Sequence, residues 1–317
     1  MKIDKCRSFI CGIKGNKLTK SEIKFLKKFH PWGVILFSRN IKTIKQTQKL
    51  TYAIKKIFNN NNYPILLDEE GGNVSRLRNF IDSSIFSAKY FGKLYSTDIK
   101  KFNLYFDIYV KQISHLLNLL GININTVPVL DLKRNFSNDI IGDRSFSNNK
   151  KIVNKLGDIC IDKFHKNRIA TVIKHIPGHG LAKVDSHKEI PIIKHNYNYL
   201  IHNDFKTFKA KRSIFAMTGH LLFSSIDKKY TVTHSKKLIK IIRKKIGFKN
   251  LIITDDLSMK ALKYSIEENT KKSFEAGCDL ALHCNGNLNE MIKVAKNSPK
   301  INNFISKKTS QFIDIIS

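Results

Sequence analysis

The sequence predicts a single parallel (β/α)8, or TIM, barrel, and three observations predict it. Eight short apolar runs recur along the chain, enriched in β-branched residues and mostly closed by a polar or charged one. Runs that are apolar on both faces suit buried parallel strands. Amphipathic segments of helical length lie between them, as expected of βα units. The 317 residues suit one such barrel, and no linker rich in Pro, Gly or Ser divides them. One domain over residues 1–317 is therefore expected, without a second domain.

In order, the runs are RSFICGI (7–13), GVILF (33–37), PILLDEE (64–70), INTVPVLD (124–131), ATVIKHI (170–176), SIFAMTGH (213–220), LIITDD (251–256) and LALHC (280–284). TIKQTQKLTYAIKKIF (43–58) and SKKLIKIIRKKIGF (235–248) show the helical pattern between strands. The last ~15 residues, containing ISKKTSQFIDIIS, form a closing helix or a tail. A doubly wound open sheet is the alternative, but no GxGxxG follows the first run.

The chain carries 57 Lys+Arg against 25 Asp+Glu, a formal net charge of +32. Such a charge draws a protein toward nucleic acid or an anionic membrane. Here the cations are spread along the whole chain rather than gathered in one arm or stripe. No zinc finger, RRM core or basic zipper accompanies them. Lys, Ile and Asn are abundant together, the pattern of compositional drift on a solvated surface, so no specific nucleic-acid or membrane partner is expected. Cys6, Cys11, Cys160, Cys278 and Cys284 are odd in number and include no CxxC, which suits a reducing compartment. MKIDKCRSFICGIKG has charges and a glycine where a signal peptide needs an apolar core, and no apolar run approaches the ~20 residues of a membrane span. A soluble, cytoplasmic protein is expected.

Functional residues of a barrel sit at the C-terminal ends of its strands. Those ends carry Asp68, Glu69, Glu70, Asp131, Lys174, His175, His220, Asp255, Asp256 and His283. Acids are scarce in this chain, yet DEE and DD both fall there, which points to a polar pocket on one face. Asp255 closes LIIT; it or Asp256 is either a cap for the next helix or a catalytic carboxylate. In VIKHIPGHGLAKVDSHKEIP (172–191), Asp185 and His187 stand two apart, so in an extended loop they point the same way. An Asp so placed fixes a His tautomer and stabilises its protonated form, and a His with a pKa of about 6.5 exchanges protons at neutral pH. A plain solvated loop is the other reading. A metal site built from His175, His179, Asp185 and His187 competes, but HxxxH pairs its ligands on a helix, and Pro177-Gly178 forbids one there. Arg76, Arg144 and Lys174 are candidate binders of hydroxyls or carboxylates.

Together, PWGVILFSRN, LLDEEGGNVSRLR, VPVLDL, IGDRSF, KHIPGHG, DSHKEIP, ITDDLSM and AGCDLALHCN resemble, in order and over nearly the whole chain, bacterial β-N-acetylglucosaminidases (β-N-acetylhexosaminidases) of glycoside hydrolase family 3, the NagZ type. The resemblance implies a lone (β/α)8 barrel without the sandwich domain of larger members. It implies a retaining double displacement with Asp255 as nucleophile and His187, oriented by Asp185, as acid/base. It places Asp68, Arg76, Arg144, Lys174 and His175 around the sugar. It implies no cofactor and no metal. The implied substrate is a muropeptide-type fragment of cell-wall recycling, N-acetylglucosamine β-1,4-linked to anhydro-N-acetylmuramic acid, and a monomer is expected. Two residues depart from the family's usual DQEGGRV: Glu69 and Asn73. The rivals are a phosphorylase, in which phosphate replaces water, and a degenerate binding protein that kept the barrel.

Overall fold

A computed structural model describes residues 5–134, 140–186 and 189–317. In chain order, β1 (Arg7–Gly12), α1 (Lys20–Phe29), β2 (Pro31–Leu36), α2 (Ile44–Phe58), β3 (Ile65–Leu67), α3 (Ala88–Thr97), α4 (Ile99–Leu119) and β4 (Ile124–Asn125) form the first half. The second half holds α5 (Lys150–Lys166), β5 (Ala170–Ile176), α6 (Tyr197–His202), β6 (Phe215–Thr218), α7 (Lys236–Ile241), β7 (Leu251–Asp256), α8 (Ile266–Ala276), β8 (Leu280–His283), α9 (Leu288–Asn297) and α10 (Asn303–Ile316). All eight predicted runs contribute a strand, and the strands close into one parallel barrel. Closure is made by β1, which pairs with β2 on one side and with β8 on the other, Phe9 opposite Ala281.

Strand bounds differ from expectation where side chains replace the ladder. β3 stops at Leu67 because the next main-chain groups bond to a side chain: Glu69 N–H donates to Asn125 Oδ1, and Glu69 C=O accepts from Asn125 Nδ2. β4 stops at Asn125 because Val127 N–H turns back to the Asn125 carbonyl and Pro128 has no N–H to give. The chain then rejoins the sheet edge at Val129, whose bridge partner is Lys174. The 235–248 segment is helical through Ile241, then widens into a π-turn over 242–246 and ends at Gly247, whose φ of 82° is left-handed.

The helix caps follow the sequence. Thr19 and Glu22 form a reciprocal capping box on α1, and Thr43, Ser87, Asp98, Asn149, Asn196, Ser235, Ser265, Asn287 and Asn302 each accept an N–H in the first turn of the helix they precede. Strand residues facing outward pack with the helices, while Ile10, Trp32, Ile35, Leu66, Val172, Phe215, Leu251, Ile253 and Leu280 fill the barrel interior.

The C-terminal segment is the helix α10, and it plugs the N-terminal mouth of the barrel. Phe312 is fully buried, its ring 6.2 Å from Trp32 and 5.8 Å from Phe215, and Trp32 Nε1–H donates to Thr309 Oγ1 at 2.9 Å. Phe312→Ala removes this plug and is expected to cost about 3–5 kcal/mol in a urea titration. KM of the folded fraction should stay unchanged, because functional groups of a barrel gather at the opposite mouth. A loss under 1 kcal/mol would mean that the mouth is sealed by other groups.

Among the described residues no helix is long and apolar enough to cross a membrane. Cys6, Cys11, Cys160 and Cys278 are buried as free thiols.

Candidate active site

At the C-terminal ends of the strands, one cavity is lined by Asp68, Arg76, Thr126, Arg144, Lys174, His175, His179, Ser186, Asp255, Asp256 and Cys284, with Phe37, Met217 and Met259 among its apolar walls. Of the eight residues the resemblance assigned, six meet there: Asp68, Arg76, Arg144, Lys174, His175 and Asp255. Asp185 is described but does not line the cavity, whereas its neighbour Ser186 does. His187 lies outside the described residues, so its pairing with Asp185 does too.

The base of the site is ionic. Lys174, at the end of β5, is 2% exposed and bonds Asp68, Glu70 (2.6 Å) and Thr126 Oγ1 (2.9 Å). Arg76 NH2 donates to Asp68 at 3.1 Å, and Arg144 grips Glu70 through Nε (2.8 Å) and NH2 (2.9 Å), a two-point fork. Burial opposes ionisation of Asp68, but Lys174 and Arg76 hold its carboxyl well below the ordinary range. Glu70 is likewise lowered against burial, by Arg144 and Lys174. Three cations therefore serve these two carboxylates, Lys174 being shared, which keeps both acids ionised and leaves the cluster one positive charge in excess.

Asp131 organises the histidines. It accepts the N–H of His179 at 2.6 Å and lies 2.7 Å from His175 Nδ1. Burial raises this carboxyl, but His175 and His179 more than reverse the effect, so it is ionised and can only accept. His175 Nδ1 therefore carries the proton. Nε2 is left 3.4 Å from Arg144 NH2, a group that only donates, so in the neutral ring Nε2 accepts. The rings of His175 and His179 lie 5.5 Å apart, although Pro177-Gly178 rules out a helix between them; a tight turn, not a helical face, makes them neighbours. Burial and His175 lower the His179 ring to about 4, so it is neutral, and its Nδ1 is buried without a partner among the described residues. Among the described residues no three His, Cys, Asp or Glu are grouped to hold a metal ion.

Asp255 and Asp256 divide two tasks. Asp256 takes the turn: Oδ1 accepts from Ser258 N (3.1 Å) and Cys284 N (3.1 Å), and Oδ2 from Ser258 Oγ (2.7 Å). Asp255 keeps its carboxylate at the cavity wall and, among the described residues, accepts one N–H, that of Asp256, at 2.8 Å. Burial works against its ionisation, yet His220, His175, the Asp256 N–H and Lys174 outweigh it and hold it below the ordinary range. Behind it, His220 is fully buried, and burial lowers its ring below the ordinary imidazole value against the pull of Asp255. Its Nε2–H donates to the Asp256 carbonyl at 3.0 Å, so Nδ1 accepts from the Thr233 hydroxyl at 2.7 Å, and Thr233 in turn accepts from Thr218 at 2.9 Å. This relay ties the end of β7 to β6.

Sequence reasoning placed Glu70, Asp131 and His220 at strand ends without giving them work, and it weighed His179 only as a metal ligand. Strand-end position was the usable signal for the first three. Thr126 carried no signal, since a hydroxyl in an apolar run is unremarked until its partners are known, and Ser186 stood within DSHKEIP without a role of its own.

A barrel whose strand ends present a carboxylate at the cavity wall beside an ionic cluster is the architecture of a glycoside-processing enzyme. Residues 4–311 match the Glycosyl hydrolase family 3 N terminal domain, and the chain belongs to that family. It is 31% identical over 278 residues to a protein named Beta-hexosaminidase from Methylobacillus flagellatus, covering 86% of this chain and 78% of that one. It is 30% identical over 332 residues to a Beta-hexosaminidase of Haemophilus influenzae, covering 98% and 92%. The crystal structure of NagZ from Neisseria gonorrhoeae in complex with N-trifluoroacetyl-D-glucosamine superposes with a TM-score of 0.83 at 27% identity, over 96% of this chain and 89% of that one.

Proposed function

We propose that this chain is a retaining exo-β-N-acetylglucosaminidase acting on cell-wall fragments, with Asp255 as its nucleophile. One observation carries the reading: of the two acids ending β7 that line the cavity, Asp256 is consumed by its turn, while Asp255 accepts a single hydrogen bond among the described residues and has a lowered pKa. The two relatives' shared name and the sugar-derived ligand of the superposing structure support N-acetylglucosamine as the sugar.

In this reading Asp68, Arg76, Arg144, Lys174 and His175 hold the non-reducing sugar by its hydroxyls. Ionised Asp255 attacks the anomeric carbon while protonated His187, oriented by Asp185, gives its proton to the departing oxygen. Neutral His187 then takes a proton from water as that water opens the glycosyl-enzyme. Most retaining glycosidases use a second carboxylate for this role; here a His–Asp pair on the 181–190 loop would replace it. N-acetylglucosamine β-1,4-linked to anhydro-N-acetylmuramic acid is the proposed natural substrate, in the cytoplasm.

The test is release of a chromogenic aglycone from a β-N-acetylglucosaminide beside the matching β-glucoside, with and without phosphate. Preference for the N-acetylated sugar and release of free N-acetylglucosamine support the reading; a sugar 1-phosphate as product would make the enzyme a phosphorylase instead. His187→Ala is expected to slow turnover by about 10²–10⁴-fold without unfolding the protein. Near-normal turnover by that variant would remove His187 from the chemistry.

A further inference from the structure

Glu69 stands where the family usually carries Gln, and the proposed reaction gives it no role. It is 1% exposed, beside the site but outside the cavity lining. Its main chain is clamped by the Asn125 amide, donating to Oδ1 at 3.0 Å and accepting from Nδ2 at 2.9 Å. Its side chain serves the loop between β3 and α3. Oε2 accepts the N–H groups of Arg76 (2.6 Å) and Leu77 (3.0 Å) and the Ser75 hydroxyl (3.2 Å), and Oε1 accepts the Ser83 hydroxyl at 3.3 Å. The loop returns over Glu69 through Gly71 and Gly72, whose φ angles of 79° and 58° suit glycine.

None of these four donors is a cation. The Arg76 guanidinium passes Glu69 by and meets Asp68 Oδ2 at 3.1 Å, at the cavity wall. Its Nε is buried without a partner among the described residues. A buried donor so left is costly unless something else supplies the acceptor. Glu69 thus holds the backbone of a residue whose side chain waits at the cavity.

We propose that Glu69 is a positioning residue for sugar binding: its buried carboxylate fixes the backbone at Arg76 and so aims the guanidinium at Asp68 and the cavity. The inference rests on reading the cavity as the sugar subsite. The two oxygens have unequal duties. Oε2 faces three donors, two of them backbone N–H groups that can only donate, so it must remain an acceptor. Oε1 faces one hydroxyl, which accepts as readily as it donates. An amide fits this pattern, with its oxygen in place of Oε2 and its NH2 toward Ser83. A methyl group does not.

The experiment measures kcat and KM on the chromogenic β-N-acetylglucosaminide, and the Kd for N-acetylglucosamine by calorimetry, using the full chain. Circular dichroism and thermal melts report the folded fraction. Glu69→Ala is expected to raise KM and Kd by about tenfold or more, with kcat within about threefold of wild type. Glu69→Gln should bring both constants back to within about threefold of wild type. Adding Glu69→Ala to Arg76→Ala should change KM by less than about twofold, because the two residues act as one unit.

A folded Glu69→Ala protein with wild-type KM and Kd overturns the proposal, as does full multiplication of the two single effects. Should Glu69→Ala fail to fold, Glu69→Asp, which retracts the carboxylate by one methylene, must show the rise in KM and Kd; wild-type constants there overturn it equally. Failure of the functional reading appears separately, in the wild-type arm: binding without hydrolysis sinks the hydrolase assignment and leaves the Kd comparison decisive, whereas a wild type that neither binds nor hydrolyses overturns both.

Discussion

Asp255→Ala is expected to give a folded barrel that hydrolyses a β-N-acetylglucosaminide at least about four orders of magnitude more slowly than wild type. Both halves of that expectation come from the hydrogen bonds at the end of β7. Among the described residues Asp255 accepts one N–H, from its own neighbour, so truncation orphans little. Asp256→Ala would instead free three donors at the β7 turn and should lower stability. The contrast separates a reactive carboxylate from a structural one in adjacent positions. A 2-fluoro sugar that traps the glycosyl-enzyme should label Asp255 in the wild type; a label on any other residue, or residual turnover within tenfold of wild type, sinks the nucleophile assignment. The lowered pKa adds a pH signature. A carboxyl held below its ordinary range stays ionised to lower pH, so the acid limb governed by Asp255 should fall below the ordinary value of 3.8.

Lys174→Met is expected to cost about 3–5 kcal/mol in a urea titration and to weaken sugar binding as well. The ammonium is nearly buried and contacts both Asp68 and Glu70; methionine fills the space but leaves two carboxylates short of a counter-charge. The pH dependence should change with it. In wild type the folded pKa values of Asp68 and Glu70 lie below their ordinary 3.8 and 4.5, so the unfolded chain binds more protons in that window. Their stabilisation is fully present above those values and is lost as pH falls through the folded ones. Without Lys174 the folded values rise, and the acid-dependent part of the stability shrinks. A variant within 1 kcal/mol of wild type, with an unchanged acid profile, would show that the cluster does not act as an ionic unit.

Continuous apolar runs located all eight strands because each is apolar on both faces and mostly followed by a polar stop, with amphipathic segments between them. Lengths were harder. PILLDEE and INTVPVLD look like full strands, yet β3 and β4 are short because the Asn125 side chain takes over the Glu69 ladder positions and Pro128 cannot donate. An amide acting as a piece of backbone is invisible before the fold places it. Within the site, Asp68 and Asp255 were legible because acids are scarce and these fall at strand ends, Lys174 and His175 because they share such an end, and Arg76 and Arg144 because their surroundings are turn-like. The choice between Asp255 and Asp256 was not legible. It depends on Ser258 and on Cys284 from the next strand, a contact 28 residues away. Asp131 was visible as a strand-end acid, but its hold on the His175 imidazole and on the His179 backbone N–H needs the turn at Pro177.

The aromatic plug under the barrel bears on how this lineage could drift so far toward lysine. The longest strands span roughly 20 Å at ~3.3 Å per residue, so Trp32, Phe215 and Phe312 hold the foot of the barrel at a distance from every atom proposed to react. Mutational load accepted on the outer surface can be absorbed at that end without retuning the chemistry, and replacements that strengthen the foot would give a more heat-tolerant enzyme of unaltered selectivity. At the foot of the barrel, unlike at Lys174, durability is thus separable from reactivity.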